Sequence, residues 1–204
     1  MKDLTQIFDE VYQHKQWGNE ESLSGVGSSY EFAKSFLLHL DIIITKYNIT
    51  TISDLSCGDC NWIKHWFGNI KYHGYDVSKS VIEANLSKYR NDKTTFTNLD
   101  ILSNLRLNHL HELCIIRHTF EHLPTTYIID CLKELKHSSQ FAIITSANHH
   151  DGPVADLMAG ANAREINLLK SPFIEIIGKP EYTFWDTIGH QSDVGCFGYL
   201  YKFK

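Results

Sequence analysis

Apolar residues fall first into a helical period and then, from about residue 50, into short runs. Leu4 to His14 reads as a helix. The polar, turn-rich stretch QWGNEESLSGVGSS separates it from a second helix, in which Phe32, Phe36, Leu37, Leu40, Ile43 and Ile44 keep a 3.6-residue period. Ser28 or Ser29 is the expected cap of that helix, and Asn48 its expected stop.

Beyond residue 50, strand-type runs at Thr51–Leu55, Tyr72–Tyr75, Thr94–Thr97, Leu113–Ile116 and Phe141–Thr145 alternate with helical stretches near Cys60–Phe67, Ser78–Tyr89 and Thr125–His137. That rhythm predicts βαβ units and a parallel sheet. The runs CII and FAIIT have no polar face, as befits central parallel strands. Right-handed crossovers then put a ligand crevice at the carboxyl ends of the strands. The segment NHHDGPVADLMAGANARE reads as loop with some helix, and Phe173–Ile177, Tyr182–Trp185 and Phe197–Phe203 read as strands joined by short connections, hence antiparallel. The expected fold is α/β: a Rossmann-like, doubly wound sheet, mostly parallel, with an antiparallel C-terminal hairpin and an N-terminal helical lid. One domain is expected over 1–204, with helices and lid in 1–47 and the core in 48–204.

Composition narrows the function. A formal charge of −5 argues against a nucleic-acid partner, which requires a basic face. The N-terminal MKDLTQIFDEVYQ lacks the apolar run of a signal peptide, and no stretch approaches the roughly 20 apolar residues of a membrane span. The five cysteines, 57, 60, 114, 131 and 196, form no disulfide framework, so a reducing cytoplasm is the expected compartment. Twelve histidines beside 19 Lys and Arg favour proton-transfer or metal chemistry.

The chemistry concentrates at strand ends. TTISDLSCGDCNW is a strand, a tight turn and the expected start of a helix, with Gly58 allowing close backbone approach and the helix offering free N–H groups. It lacks the G-x-G-x-x-G of a dinucleotide turn and the Gly-Lys-Ser/Thr of a P-loop. Asp76, ending the second strand, is placed to take two ribose hydroxyls. Asp100, just past the third, is placed to accept from an adenine amino group, with Ile101 against the ring. Three carboxylates at three strand ends would repel phosphates and suit a nucleoside without them, such as S-adenosylmethionine.

Read together, D-L-S-C-G-D-x-N-W, G-Y-D-V, L-D-I and C-I-I-R-H-T-F-E-H-L-P resemble the class I S-adenosylmethionine-dependent methyltransferases. They are most similar to a bacterial subgroup with a CGDxNW loop. Its N-terminal WG-x-E-E-S-x-S-G-x-G-S is matched by Trp17 to Ser28, and its R-x-I-N-L-x-x-x-P-F by Arg164 to Phe173. The resemblance spans about residues 7 to 175. Where the subgroup carries an aspartate after the arginine that follows the fourth strand, this chain has His118, and Asp186 to Lys204 matches the subgroup poorly. The resemblance implies a cofactor site of Trp17, Ser24, Gly25, Asp54, Ser56, Gly58, Asp59, Asp76, Val77, Asp100, Ile101 and Arg117. Trp17, Ser24, Gly25, Gly27 and Ser28 would belong to a lid that excludes water.

Two motifs compete with this reading. Cys57-x-x-Cys60 has redox or zinc spacing, though small residues packed in a tight turn look the same in sequence. His118-Thr-Phe-Glu-His122 matches the H-x-x-E-H of inverted zinc proteases, but it follows a strand directly and Pro124 comes two residues later. Asp54 is read as holding the turn, as orienting the ligand's ammonium, or both; Asp59 as a helix cap or a contact to the methionine end. Arg117 would hold an anionic acceptor or the loop.

The expected activity is transfer of a methyl group to a small-molecule acceptor, with a sugar or sugar-phosphate hydroxyl in surface-polysaccharide or natural-product tailoring implied by the resemblance. His118 is the expected base or substrate orienter, helped by Glu121 and His122. No metal is required, although a divalent ion held by acceptor and carboxylates stays open. The alternatives are a non-catalytic cofactor-binding partner protein and a metal hydrolase on the H-x-x-E-H set. Oligomeric state is not legible.

Overall fold

The computed structural model describes residues 3–18, 20–67, 70–106, 111–147, 155–187 and 196–204. Its helices are α1 (Leu4–Gln13), α2 (Tyr30–Tyr47), α3 (Lys79–Tyr89), α4 (Ile101–Leu105), α5 (Thr125–Ser138) and α6 (Phe173–Ile177). Its strands are β1 (Thr51–Asp54), β2 (Lys71–Asp76), β3 (Thr94–Asn98), β4 (His111–Ile116), β5 (Ser139–Ala147), β6 (Tyr182–Thr187) and β7 (Cys196–Lys202).

The strands form one seven-stranded sheet in the order β3-β2-β1-β4-β5-β7-β6. The first five in that order are parallel, and β7 pairs antiparallel with both β5 and β6. The order reverses at β1, which pairs with β2 on one side and β4 on the other, so the topological switch point opens above Asp54.

Period-two alternation distributes the sheet between two cores. Cys114, Ile116, Ala142, Ile144, Tyr199 and Tyr201 pack with α1, α4, α5 and α6, while Leu113, Ile115, Phe141, Ile143 and Leu200 pack with α2 and the Trp62–Trp66 turns. The helical stripe of α2 buries Ala33, Phe36, Leu40 and Ile43. Asn48, in the left-handed region at φ 53°, ends α2 and sends its N–H to the Ile44 carbonyl. Ser29 occupies the cap position, but its hydroxyl donates to the Val26 carbonyl; Glu21 caps α2 instead, accepting the Tyr30 N–H at 2.8 Å.

Three expectations change. Cys60–Phe67 is a run of turns and not a helix: Cys60 sits at φ 57°, its carbonyl takes both the Ile63 and the Lys64 N–H, and Trp62, Ile63 and Trp66 are drawn into the core. Phe173–Ile177 is a short helix and not a strand, because its two buried residues lie four apart and pack on α5, with Gly178 at φ 85° ending the turn. Residues 155–165, the described part of the expected loop with some helix, contain no helix; 148–154 lie outside the described residues. Among the described residues no helix is long and apolar enough to cross a membrane.

Candidate functional site

The turn after β1 is built around one carboxylate. Gly58 has φ 54°, and a Cβ there would stand 2.4 Å from Ser24 Oγ, so conformation and space both exclude a side chain. Its N–H donates to Asp76 Oδ2 at 3.0 Å, while Asp76 Oδ1 accepts the Ser78 N–H at 2.9 Å. Burial pushes the Asp76 carboxyl up to about 6, against the two N–H donors that lower it. Asp54 lies below the turn, 1% exposed, and accepts from the Tyr72 hydroxyl at 2.7 Å; burial pushes it up to about 7. Since no helix starts at Cys60, the turn offers no helix N-terminus. Its N–H groups are taken by protein partners: Gly58 by Asp76, Asp59 by Ser24 Oγ and Asn61 by Asp59 Oδ1.

Above the switch point lies a cleft with about 760 Å³ of space, its open mouth included. Trp17, Ser24, Ser56, Gly58, Asp76, Val77, Asp100, Ile101, Arg117, His118 and His122 all line it. Asp100 caps α4, accepting the Ser103 N–H at 3.0 Å, and also accepts the Tyr127 hydroxyl at 2.8 Å. Burial works to raise its carboxyl, and the Ser103 and Tyr127 donors outweigh it and hold it low.

Gly25, Asp54, Asp59 and Glu121 do not line the cleft. Gly25, at φ 91°, turns the chain into the 3-10 turn Val26–Ser28. Asp59 faces outward and grips the N-terminal segment, accepting from Ser22 Oγ at 3.0 and 3.1 Å and from the Leu23 N–H at 2.7 Å. Ser24 completes that grip through Tyr12 and the Asp59 N–H, both at 3.0 Å. Trp17 donates from Nε1 to the Ala161 carbonyl at 2.7 Å and packs on His122 at 4.6 Å between ring centroids. Trp17, Ser24 and Ser28 therefore line one side of the cleft, with Trp17 and Ser24 held by these contacts.

At the far end of the cleft, β4 runs directly into a charged cluster. Arg117 donates from Nε and Nη2 to Asp186 Oδ1 at 3.2 and 3.0 Å and from Nη1 to the Gly27 carbonyl at 2.9 Å. Its guanidinium lies 5.2 Å from the ring centroids of both Phe36 and Trp62. His118, in the left-handed region at φ 50°, places Nδ1 3.2 Å from Glu121 Oε1 and Nε2 2.9 Å from Asp186 Oδ2. Burial and the Arg117 charge work to lower the His118 pKa, and the two carboxylates outweigh them, pushing it up to about 9. Burial opposes ionisation of Asp186 and Glu121, and their cationic partners hold both carboxyls low.

The competing motifs resolve geometrically. His122 turns away from His118 and Glu121; its Nδ1 meets the Asn162 carbonyl at 3.0 Å, so the H-x-x-E-H residues do not converge. Only Glu121 and His122 lie in a 3-10 turn, Phe120–His122, with His118 in the loop before it, where the inverted zinc-protease signature needs a long helix. Cys57 and Cys60 are 1% and 0% exposed, with both thiols within reach of Asn85 Nδ2. Burial pushes both thiols up. Asp186, Tyr127, Tyr12 and Thr119, which lines the cleft and donates to Ser56 Oγ at 2.6 Å, were not among the residues the sequence pointed to. Asp186 lay in the segment least like any pattern, and the others carried no motif.

No protein-family model matches the sequence, and no curated protein sequence is detectably similar to it. Solved structures do match. A Leishmania major S-adenosylmethionine-dependent methyltransferase superposes with a TM-score of 0.73 at 9% identity, over 99% of this chain and 87% of that one. The N-methyltransferase NodS of Bradyrhizobium japonicum WM9, in complex with S-adenosylhomocysteine, gives 0.66 at 13% identity, over 94% and 97%. Magnesium protoporphyrin IX methyltransferase ChlM of Synechocystis PCC 6803, with bound S-adenosylhomocysteine, gives 0.63 at 12%, over 98% and 100%. At such identities the likeness establishes architecture: this chain has the mixed seven-stranded α/β fold of these methyltransferases.

Proposed function

We propose that the protein is a cytoplasmic class I S-adenosylmethionine-dependent methyltransferase, of the subgroup its CGDxNW loop resembles, acting on a small molecule. The observation that carries this reading is the alignment of Gly58, Asp76 and Asp100 along one cleft at the switch point of this fold. Asp76 would take the ribose hydroxyls and Asp100 the adenine amino group, with Ile101 against the ring. Ser56, Val77, Trp17 and Ser24 would wall the nucleoside and methionine parts, and His122 would support Trp17. Gly25, Asp54 and Asp59 would act from behind, by shaping the lid and the turn.

Methyl transfer from a sulfonium is an in-line displacement, so most of the work is positioning. The Arg117–Asp186–His118–Glu121 cluster lies at the far end of the cleft, and we assign it to holding and orienting the acceptor. A hydroxyl of a sugar or sugar-phosphate, in surface-polysaccharide or natural-product tailoring, is the acceptor the resemblance favours.

The test is calorimetry with S-adenosylhomocysteine, followed by a screen of sugar nucleotides and phosphorylated sugars for a gain of one methyl mass. Failure to bind the nucleoside would sink the reading. Binding without turnover on any acceptor class would favour a non-catalytic partner protein.

A further inference from the structure

We propose that His118 Nε2, Asp186 Oδ2 and Cys196 Sγ form a binding site for a zinc-type divalent cation, with a fourth position left for water or an acceptor oxygen. These three donor atoms, from the loop after β4, from β6 and from β7, lie within 4.8 Å of one another, the only such His/Cys/Asp/Glu group among the described residues. Tetrahedral zinc, with bonds of about 2.0–2.3 Å, holds its ligands about 3–4 Å apart, so the three need only small adjustments. An imidazole, a carboxylate and a thiolate are also the donor types zinc selects.

Two further observations point to a ligand. The side chain of Asp186 is 0% exposed, and neither its Oδ2 nor His118 Nε2 has a hydrogen-bond partner among the described residues. They face each other at 2.9 Å as an ion pair without hydrogen-bond alignment, a contact that a cation engaging both atoms would replace. The outer partners are also those of a metal centre. Glu121 sits on Nδ1, directing the Nε2 lone pair toward the cation, and Arg117 occupies the other Asp186 oxygen, directing Oδ2.

His118 lines the nucleoside cleft and also a second hollow with Glu121 and Cys196. A cation there would polarise an acceptor hydroxyl and lower its pKa, which supplies activation that His118, with both nitrogens facing carboxylates, is badly placed to give. The site itself goes beyond the methyltransferase reading, because metal binding needs no nucleoside.

The test is a cobalt(II) titration of the metal-free full chain, followed by the thiolate-to-cobalt charge-transfer band and the intense tetrahedral d–d bands, with S-adenosylhomocysteine calorimetry in parallel. One cobalt per chain, a band abolished by Cys196→Ser, and zinc displacing the cobalt are expected. Glu121→Gln should keep the band and weaken affinity about 10–100-fold. A wild-type chain folded by circular dichroism that gives no thiolate band overturns the site. So does a band that survives Cys196→Ser. A band without nucleoside binding upholds the metal site and removes the methyltransferase reading.

Discussion

The backbone N–H of Gly58 donates to Asp76 Oδ2 at 3.0 Å, so the turn after β1 and the end of β2 are one hydrogen-bonded unit. Gly58→Ala should break it. The alanine would have to hold φ 54° and push its Cβ against Ser24 Oγ, which itself holds Tyr12 and the Asp59 N–H. The conformational strain alone costs about 1–2 kcal/mol. A lower melting temperature and loss of S-adenosylhomocysteine binding in calorimetry are expected; unchanged binding would show the turn to be more forgiving than its geometry.

Nucleoside binding should depend on the charge of Asp76. Ribose hydroxyls donate to the carboxylate form, and burial pushes this carboxyl up to about 6. Affinity is therefore expected to be level above pH 7 and to fall by about tenfold per pH unit well below 6. Asp76→Asn should bind weakly and lose that dependence. A wild-type profile flat from pH 5 to 8 would remove Asp76 from the contact.

Asp54 makes a separate, stability-based prediction. Its folded pKa, about 7, lies above the ordinary 3.8, so between those values the folded chain keeps a proton the unfolded chain releases. Its contribution is thus fully present below about pH 4 and is lost as pH rises through about 7. Urea unfolding of wild type and Asp54→Asn should show the wild type losing more stability between pH 5 and 8, on the order of 1 kcal/mol per pH unit below pH 7. Equal pH dependence would mean that Asp54 is ionised in the fold at ordinary cost.

The Arg117–Asp186 pair is buried, with side-chain exposures of 2% and 0%. Asp186→Ala leaves a guanidinium without its carboxylate and is expected to cost about 3–5 kcal/mol in denaturant unfolding. Arg117→Met combined with Asp186→Leu should recover much of that loss. Additive losses in the double variant would argue that the pair is not a coupled unit.

Cys57 and Cys60 should behave as packing residues. Burial pushes both thiols up, and neither is accessible. Iodoacetamide should leave them unmodified in the native chain and label them in urea. Cys60→Ser, whose hydroxyl keeps Asn85 as a partner, should retain S-adenosylhomocysteine affinity within about twofold, the scale of small, partnered changes. Rapid native labelling of this pair would restore the thiol reading.

The sequence by itself determined the α/β class, the five parallel strands, the antiparallel hairpin and the long second helix, because apolar periodicity and β-branched runs encode which face of each element is buried. It also determined that Gly58, Asp76 and Asp100 would meet, because the parallel topology puts strand ends together whatever lies between them. Local chemistry misled at Cys60–Phe67 and Phe173–Ile177, where packing of Trp62, Ile63 and Trp66 into one core, and of Phe173 and Ile177 onto α5, overrode propensity. Only the tertiary structure decided that Asp59 grips the N-terminal segment, that Asp54 lies under the turn on Tyr72, and that His122 parts from His118. It alone brought Asp186 and Cys196 to His118. Those residues come from β6, β7 and the loop after β4, and such proximity depends on strand order, which no local pattern of residues carries.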